Sequence, residues 1–219
     1  MHGPEIPQRD LTPDLLLQAY RAGIFPMAES RDTPELFWLD PRRRGVLPLE
    51  RFHISRSLAR RIRGGGFRVS TDEAFHAVMT GCAAREETWI NDRIVTLFCD
   101  LHARGHAHSL EIWEGETLAG GVYGLAINAV FFGESMFSAR RDGSKLALAY
   151  LVHRLRAGGF TLFDTQFLTP HLASLGAVEI SRALYHDLLR KALQRDADFD
   201  RFRGMPTVQS ILQPSTQTS

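Results

Sequence analysis

The chain has 219 residues, 44% of them hydrophobic and 23% charged, with a formal net charge of +1. That is enough to bury the core of one globular domain, or of one domain with a small appendage. No run of about 18 apolar residues occurs, which excludes a membrane-spanning helix, and the first residues lack the basic-then-apolar pattern of a signal peptide. The two cysteines, Cys82 and Cys99, both sit in apolar helical settings and read as buried free thiols, so the cytoplasm is the expected location.

In chain order, Thr12 as N-cap, Pro13 at the first helical position and Gly23 past the end mark a complete helix. Ile24 to Met27 leaves it as an apolar, turning segment, and Glu29 to Glu35 is polar and loop-like. Phe37-Trp-Leu-Asp-Pro41 is read as the start of a second unit, with a soft boundary near residue 40 that separates a small N-terminal unit, 1–40, from a larger domain, 41–219. Gly45 to Leu49 reads as a strand, placed at a sheet edge because Pro48 cannot donate to a ladder. A helix capped by Ser55 and stopped by Gly64 follows, with Leu58 and Ile62 on one face. Phe67 to Ser70 is a short strand, Asp72 to Cys82 a helix, and Asn91 caps a helix from Asp92 to Arg104 that Gly105 stops. Ala107 to Trp113, Thr117 to Leu125 and Ala129 to Met136 then form an antiparallel meander. Asp142 to Ala157 is an amphipathic helix, followed by a strand to Phe167, a short helix from Pro170, a strand at Val178 and a last helix from Arg182 to Gln194. The Ser/Thr/Gln-rich tail after Pro206 is expected to fray.

Charge is unevenly placed. Between Arg42 and Arg68 stand nine arginines and one acid, Glu50, a net +8 that leaves −7 for the rest. Arg56, Arg60 and Arg63 line one helix stripe without matching acids, the pattern of a face that tracks phosphates; a solvated helix face is the equal alternative.

Two apolar strands carry polar groups towards their C-terminal ends. Val130-Phe-Phe-Gly-Glu-Ser-Met-Phe-Ser138 holds Glu134, and Phe160-Thr-Leu-Phe-Asp-Thr-Gln-Phe167 holds Asp164 and Gln166, two apart and thus on one face. A charge among apolar residues is costly unless it is paired or hydrogen-bonded, so these strands read as two walls of one polar pocket. Helix following meander, then strand, helix and strand, predicts an α+β fold with an acetyltransferase-like core. The loop at the start of that helix, Arg140-Arg-Asp-Gly-Ser-Lys145, keeps half of the pyrophosphate-cradling pattern of acetyl-CoA enzymes and puts Lys145 where backbone should approach the phosphate. His102, His106 and His108 do not fit a metal-ligand spacing, since Gly105 breaks the helix between the first two, and no metal site is expected.

Over nearly its whole length the chain resembles the leucyl/phenylalanyl-tRNA–protein transferases. The matching pieces are Ala19-Tyr-Arg-Ala-Gly-Ile-Phe-Pro26, Phe52-His-Ile-Ser-Arg-Ser57, Thr88-Trp-Ile90, His102-Ala-Arg-Gly-His-Ala-His-Ser109, Gly120-Gly-Val-Tyr-Gly124, Phe132-Gly-Glu-Ser-Met-Phe-Ser138 and His171-Leu-Ala-Ser-Leu-Gly-Ala177. The resemblance implies transfer of leucine or phenylalanine from aminoacyl-tRNA to proteins that begin with Arg or Lys, marking them for degradation, with no cofactor. It assigns Asp164 and Gln166 to the reacting amine and lets Glu134 grip the α-amino group of the esterified amino acid or order the pocket. Phe131, Met136, Phe137 and Phe163 are the expected aminoacyl pocket, and Trp89 the platform for the terminal adenosine, with Arg56, Arg60 and Arg63 on the acceptor-stem phosphates. Members commonly carry Trp after Ile-Phe-Pro where this chain has Met27, so that one stacking partner is either lost or supplied by Phe37 or Trp38. A monomer is expected, as no motif argues for more. An acetyl-CoA-dependent N-acetyltransferase and a non-catalytic tRNA-binding module are the alternatives.

Overall fold

A computed structural model of the chain describes residues 5–6, 11–33, 35–202 and 204–212. The order of elements is β1 (Glu5–Ile6), α1 (Pro13–Arg21), β2 (Phe25–Ala28), β3 (Leu36–Leu39), β4 (Arg43–Val46), α2 (Arg56–Gly64), β5 (Arg68–Thr71), α3 (Phe75–Ala83), α4 (Asp92–Ala103), β6 (Ala107–Glu114), β7 (Thr117–Ile127), β8 (Val130–Ser138), α5 (Gly143–Gly158), β9 (Leu162–Gln166), α6 (Pro170–Ser174), β10 (Val178–Ser181), α7 (Arg182–Ala192) and α8 (Val208–Leu212). The Ser/Thr/Gln-rich end from residue 213 lies outside the described residues, and part of the segment expected to fray is the short helix α8.

The local signals hold where chemistry is local. Thr12, Ser55, Asn91, Thr169 and Ser181 each accept a backbone N–H three residues on, satisfying a donor that the first helical turn cannot pair internally. Three assignments change. Phe37 to Leu39 belongs to β3, which pairs with β2 and so closes the N-terminal three-stranded sheet, β1-β3-β2, rather than opening the second unit. β4 lies inside the large sheet, between β10 and β9, because Pro48 falls beyond its last residue and removes no ladder donor. α3 begins at Phe75, since Asp72 takes a left-handed backbone (φ 60°) and its carboxylate accepts from the Ser109 N–H.

The second sheet is mixed and mostly antiparallel, in the order β10-β4-β9-β8-β7-β6-β5, with β8 and β9 parallel. Its two faces bury two cores. One joins α1, α3, α4 and α7 to Phe132, Tyr123 and Leu125; the other joins α2, α5 and α6 to Phe131, Val122 and Phe163. Alternation along β8 explains the division, with Phe131 and Phe132 both fully buried on opposite faces. α5 presses hard on the sheet at its start: a Cβ on Gly143 would sit 2.4 Å from the Ala119 carbonyl. Cys82 is buried, and burial pushes its thiol up to about 12, whereas Cys99 is only half-buried. Among the described residues no helix is long and apolar enough to cross a membrane.

Candidate active site

The parallel pairing of β8 with β9 ends at Phe132 opposite Asp164. Beyond that point the strands part, and the gap between them is a cavity of about 740 Å³. Gly133 to Ser138 form one wall, Phe163 and Thr165 to Phe167 the other, and Phe25, Met27, Arg85 and Trp89 close one end. Leu148 of α5 with His171 and Leu172 of α6 closes the opposite end.

Asp164 sits beside this cavity but not on its surface. It is completely buried, and four donors fill its two oxygens. Oδ1 accepts from Arg44 Nε at 2.9 Å and from the Gln166 backbone N–H at 2.9 Å; Oδ2 accepts from Arg44 Nη2 at 2.6 Å and from the Tyr185 hydroxyl at 2.7 Å. A carboxylate has about four acceptor positions, so none is left for a ligand. Arg44 is equally buried, donates its third arm to the Gly23 carbonyl at 3.1 Å, and lies 4.5 Å from the Phe25 ring centre and 4.3 Å from that of Tyr185. The bond between Gln166 and Asp164 runs through the Gln166 backbone N–H and not through its side-chain amide. It anchors the peptide entering Gln166, and the Phe167 N–H donates to the Thr165 carbonyl at 2.6 Å across that residue. Gln166 takes a left-handed backbone, φ 54°, which costs a non-glycine residue on the order of 1–3 kcal/mol and persists where surroundings enforce it. The ladder of β4 with β9 also slips here: Val46 faces Asp164 and Gly45 faces Gln166, leaving Thr165 as the extra residue.

A second bulge places Glu134. In the β7–β8 ladder Gly124 faces Gly133 and Tyr123 faces Ser135, so Glu134 has no partner across the strand. Such bulges re-aim side chains. Glu134 reaches the cavity wall, and its Oε1 accepts from Gln166 Nε2 at 3.3 Å. The buried Tyr20 hydroxyl faces the same carboxyl without closing a hydrogen bond of normal geometry. The side chain is half-buried where it lines the cavity, and burial pushes its carboxyl up to about 8. The nearby negative charge of Asp164 adds to the rise; Tyr20 and Arg44 oppose it.

Of the four residues expected to form an apolar pocket, Met136, Phe137 and Phe163 line the cavity. Phe131 does not. The pleat turns it into the core beneath α5, edge-on to Phe163 at 5.4 Å between ring centres and stacked on Phe199 at 6.0 Å. Val122, Leu148 and Leu172 stand where it was expected; only the register of distant elements reveals them. Trp89 and Met27 both line the cavity, whereas Phe37 and Trp38 do not. The exposed aromatic at the rim is Phe167, held edge-on to Phe25 at 5.8 Å.

The basic stretch contracts on inspection. Arg44 is the buried partner of Asp164, and Arg43, Arg61 and Arg68 pair with Glu179, Glu114 and Glu73. Arg56, Arg60 and Arg63 remain exposed on α2. At the start of α5 the Ser144 N–H is taken by Ser138 Oγ at 2.7 Å and the Gly143 N–H by the Arg140 carbonyl at 3.1 Å, while Asp142 pairs with Lys145 at 3.6 Å. That helix end offers an anion few free donors and a carboxylate. Of the three histidines, His102 binds the Ala107 carbonyl and stacks on Phe75, and His108 binds Asp72. Among the described residues no metal-holding group of acids, His and Cys gathers.

Arg44, Tyr185 and Tyr20 escaped the sequence reading. Arg44 left one signal, a charge inside an otherwise apolar strand; the two tyrosines left none, since each sits on the apolar face of a helix where a core residue belongs.

A splayed sheet whose gap is apolar at one end and lined by a carboxyl and an amide in its middle suits an acyl group passed between two substrates, and the class is that of an acyl-group transferase. The family model of the leucyl/phenylalanyl-tRNA protein transferase matches residues 46–190, and that of its N-terminal domain residues 9–42. A leucyl/phenylalanyl-tRNA–protein transferase of Cereibacter sphaeroides is 64% identical over 95% of this chain and 98% of its own, and one of Ruegeria pomeroyi is 59% identical over 95% and 99%. The chain belongs to the leucyl/phenylalanyl-tRNA protein transferase family, and it is an aminoacyltransferase. The crystal structure of FemX shares the fold, with a TM-score of 0.50 at 11% identity over 77% of this chain and 66% of that one.

The state of Glu134 has a consequence for stability. Its folded pKa, about 8, lies above the ordinary 4.5, so the folded protein holds the proton more tightly than the unfolded chain. Below pH 4.5 both states are protonated and the group costs nothing; as pH rises to 8 the unfolded chain gains by ionising, and stability falls. Glu134→Gln removes this dependence. Its melting temperature is expected to rise by several degrees relative to the wild type between pH 5 and pH 8.5, read by thermal unfolding; a difference that does not change with pH would contradict the assignment.

Proposed function

We propose that the protein transfers leucine or phenylalanine from aminoacyl-tRNA to the α-amino group of proteins beginning with Arg or Lys, in the cytoplasm, as a monomer, marking the acceptor for degradation. The observation that carries this reading is the cavity itself: an apolar end of Val122, Met136, Leu148, Phe163 and Leu172 beside a hydrogen-bonded Glu134–Gln166 pair. The apolar end suits a γ-branched or flat apolar side chain, with Met136 adapting its shape. We read residues 1–40 as a small unit and 41–219 as a catalytic domain of acetyltransferase type, on the strength of the parallel, splayed β8–β9 pair with α5 between them.

Aminoacyl-tRNA is an activated ester, so the peptide bond forms without nucleotide hydrolysis. The site has to orient an amine, move a proton and steady an oxyanion. Gln166 binds the incoming amine through its amide. An amide is too weak a base to deprotonate an ammonium alone. Asp164 is then a positioning residue: locked by Arg44 and Tyr185, it fixes the backbone of Gln166 and touches no substrate. Trp89 stacks on the terminal adenosine, and Arg56, Arg60 and Arg63 follow the phosphates of the acceptor stem.

The acetyl-CoA alternative needs an open helix N-terminus for pyrophosphate. At α5, Ser138 Oγ and Asp142 fill that place. A tRNA-binding module without activity would have no use for the strained Gln166.

Transfer of radiolabelled leucine from charged tRNA to a model protein beginning with Arg, beside Asp-first and Glu-first controls, tests the reading. Label on the Arg-first protein alone is expected; label on an acidic start would place the specificity elsewhere, and no label with any acceptor would sink the catalytic claim. Joint replacement of Arg56, Arg60 and Arg63 by Ala is expected to weaken tRNA binding and lower the slope of its logarithm against log salt by about 2–3. Binding with an unchanged slope would return the stripe to a solvated helix face.

A further inference from the structure

Resting on the transfer reaction above, the question is which group moves the proton. The acceptor arrives as an ammonium and must lose a proton before its nitrogen can attack. Among the described residues lining the cavity, the titratable side chains are Arg85, Glu134 and His171. A guanidinium stays protonated and cannot accept. His171 stands on α6 by the first turn of α5, its Nε2 sealed without a partner, and burial together with Lys145 holds it below its ordinary range. Asp164 has four donors on two oxygens. Glu134 alone is re-aimed at the cavity by a bulge and shares a hydrogen bond with the amide that binds the amine.

We propose that Glu134 is the catalytic base that takes the proton of the acceptor's α-ammonium and delivers it to the ribose oxygen leaving the ester. The ammonium gives one proton to the Glu134 carboxylate. The freed nitrogen lone pair forms the C–N bond at the ester carbonyl carbon. Glu134 then protonates the ribose oxygen as the C–O bond breaks, so the tRNA leaves with its hydroxyl restored. The second proton lost from nitrogen returns to the carboxylate and passes to water, the single proton that the overall reaction releases. No oxidant or further reactant is required.

The surroundings of Glu134 suit this exchange. The groups that face it are Tyr20 of α1, Tyr123 of β7, Asp164 of β9 and Arg44 of β4. The last two form one neutralised pair, and both tyrosines are held protonated by burial. Burial is therefore the largest influence on the carboxyl, and it brings its pKa to about 8. An α-amine lies at about 7.7–8.0, so the proton moves between near-equals, the condition under which a base works best.

The reactive complex holds one proton between carboxyl and amine. The test is kcat/KM for an Arg-first acceptor with preloaded leucyl-tRNA, followed from pH 6 to 9.5 in wild type and Glu134→Gln. Wild type is expected to show a bell centred near pH 8, because the one-proton state is lost on either side. The variant is expected to be slower by about 100-fold at the centre, to rise with pH as the amine ionises unaided, and to lose the alkaline limb. Binding of an amide-linked, unreactive leucyl-tRNA is expected to be unchanged. A bell that survives in Glu134→Gln, with weaker binding of that analogue, would instead make Glu134 a grip on the donor's amino group. A wild-type profile that rises without an alkaline limb would equally overturn the proposal, whatever the variant does. No transfer by wild type at any pH would remove the underlying reaction, a distinct failure.

Discussion

The buried pair of Arg44 and Asp164 is the interaction on which the rest of the site depends. Two charges with no exposure to water survive only if every donor and acceptor finds a partner. Here the partners come from four places: the Gly23 carbonyl after α1, the Tyr185 hydroxyl on α7, the Gln166 N–H at the end of β9 and the two charges themselves. One ion pair thus ties the N-terminal unit, the central strands and the last long helix to a single point. It also anchors the turn at Gln166: the bond from its N–H to Asp164 Oδ1 fixes the peptide entering that residue, and the left-handed backbone is closed by the Phe167 N–H donating to the Thr165 carbonyl at 2.6 Å.

Two carboxyl groups on neighbouring strands have been given opposite environments. Asp164 has more donors than it needs for charge balance and cannot reach a substrate. Glu134 has one amide donor, an ill-directed phenol and little water, so it favours the neutral form. Environments that set two acids apart in this way are a means of assigning roles to them. On the proposed mechanism the one with every bond filled positions, and the one left with capacity reacts. Both depend on bulges in the β7–β8 and β4–β9 ladders, which turn side chains away from strict alternation where the parallel strands begin to part.

Much of the fold was legible in the sequence because its signals are short-range. Caps at Thr12, Ser55 and Asn91, stops at Gly23 and Gly105 and the meander from Ala107 are fixed by residues within a turn or two of each other. Position in the sheet was not legible. Nothing local shows that β4 is sandwiched between β9 and β10, which are more than a hundred residues away, and so Arg44 read as one more member of a basic surface. Phe131 was misplaced because a run of adjacent phenylalanines does not say which one faces the gap. The carboxyl and amide pair was legible, since polar groups at the ends of apolar strands stand out against burial costs; the bulges that aim them were not, because a bulge is visible only once two strands are in register.

The central claim is that Asp164 serves the reaction through the backbone of Gln166. Tyr185→Phe tests it most directly, for its hydroxyl touches Asp164 and lies outside the cavity. Steady-state transfer with this variant is expected to show kcat lowered about tenfold, equivalent to ~1.4 kcal/mol in the barrier, with affinity for aminoacyl-tRNA unchanged. Wild-type turnover in a measurably less stable protein would contradict the claim and leave the network a purely structural one.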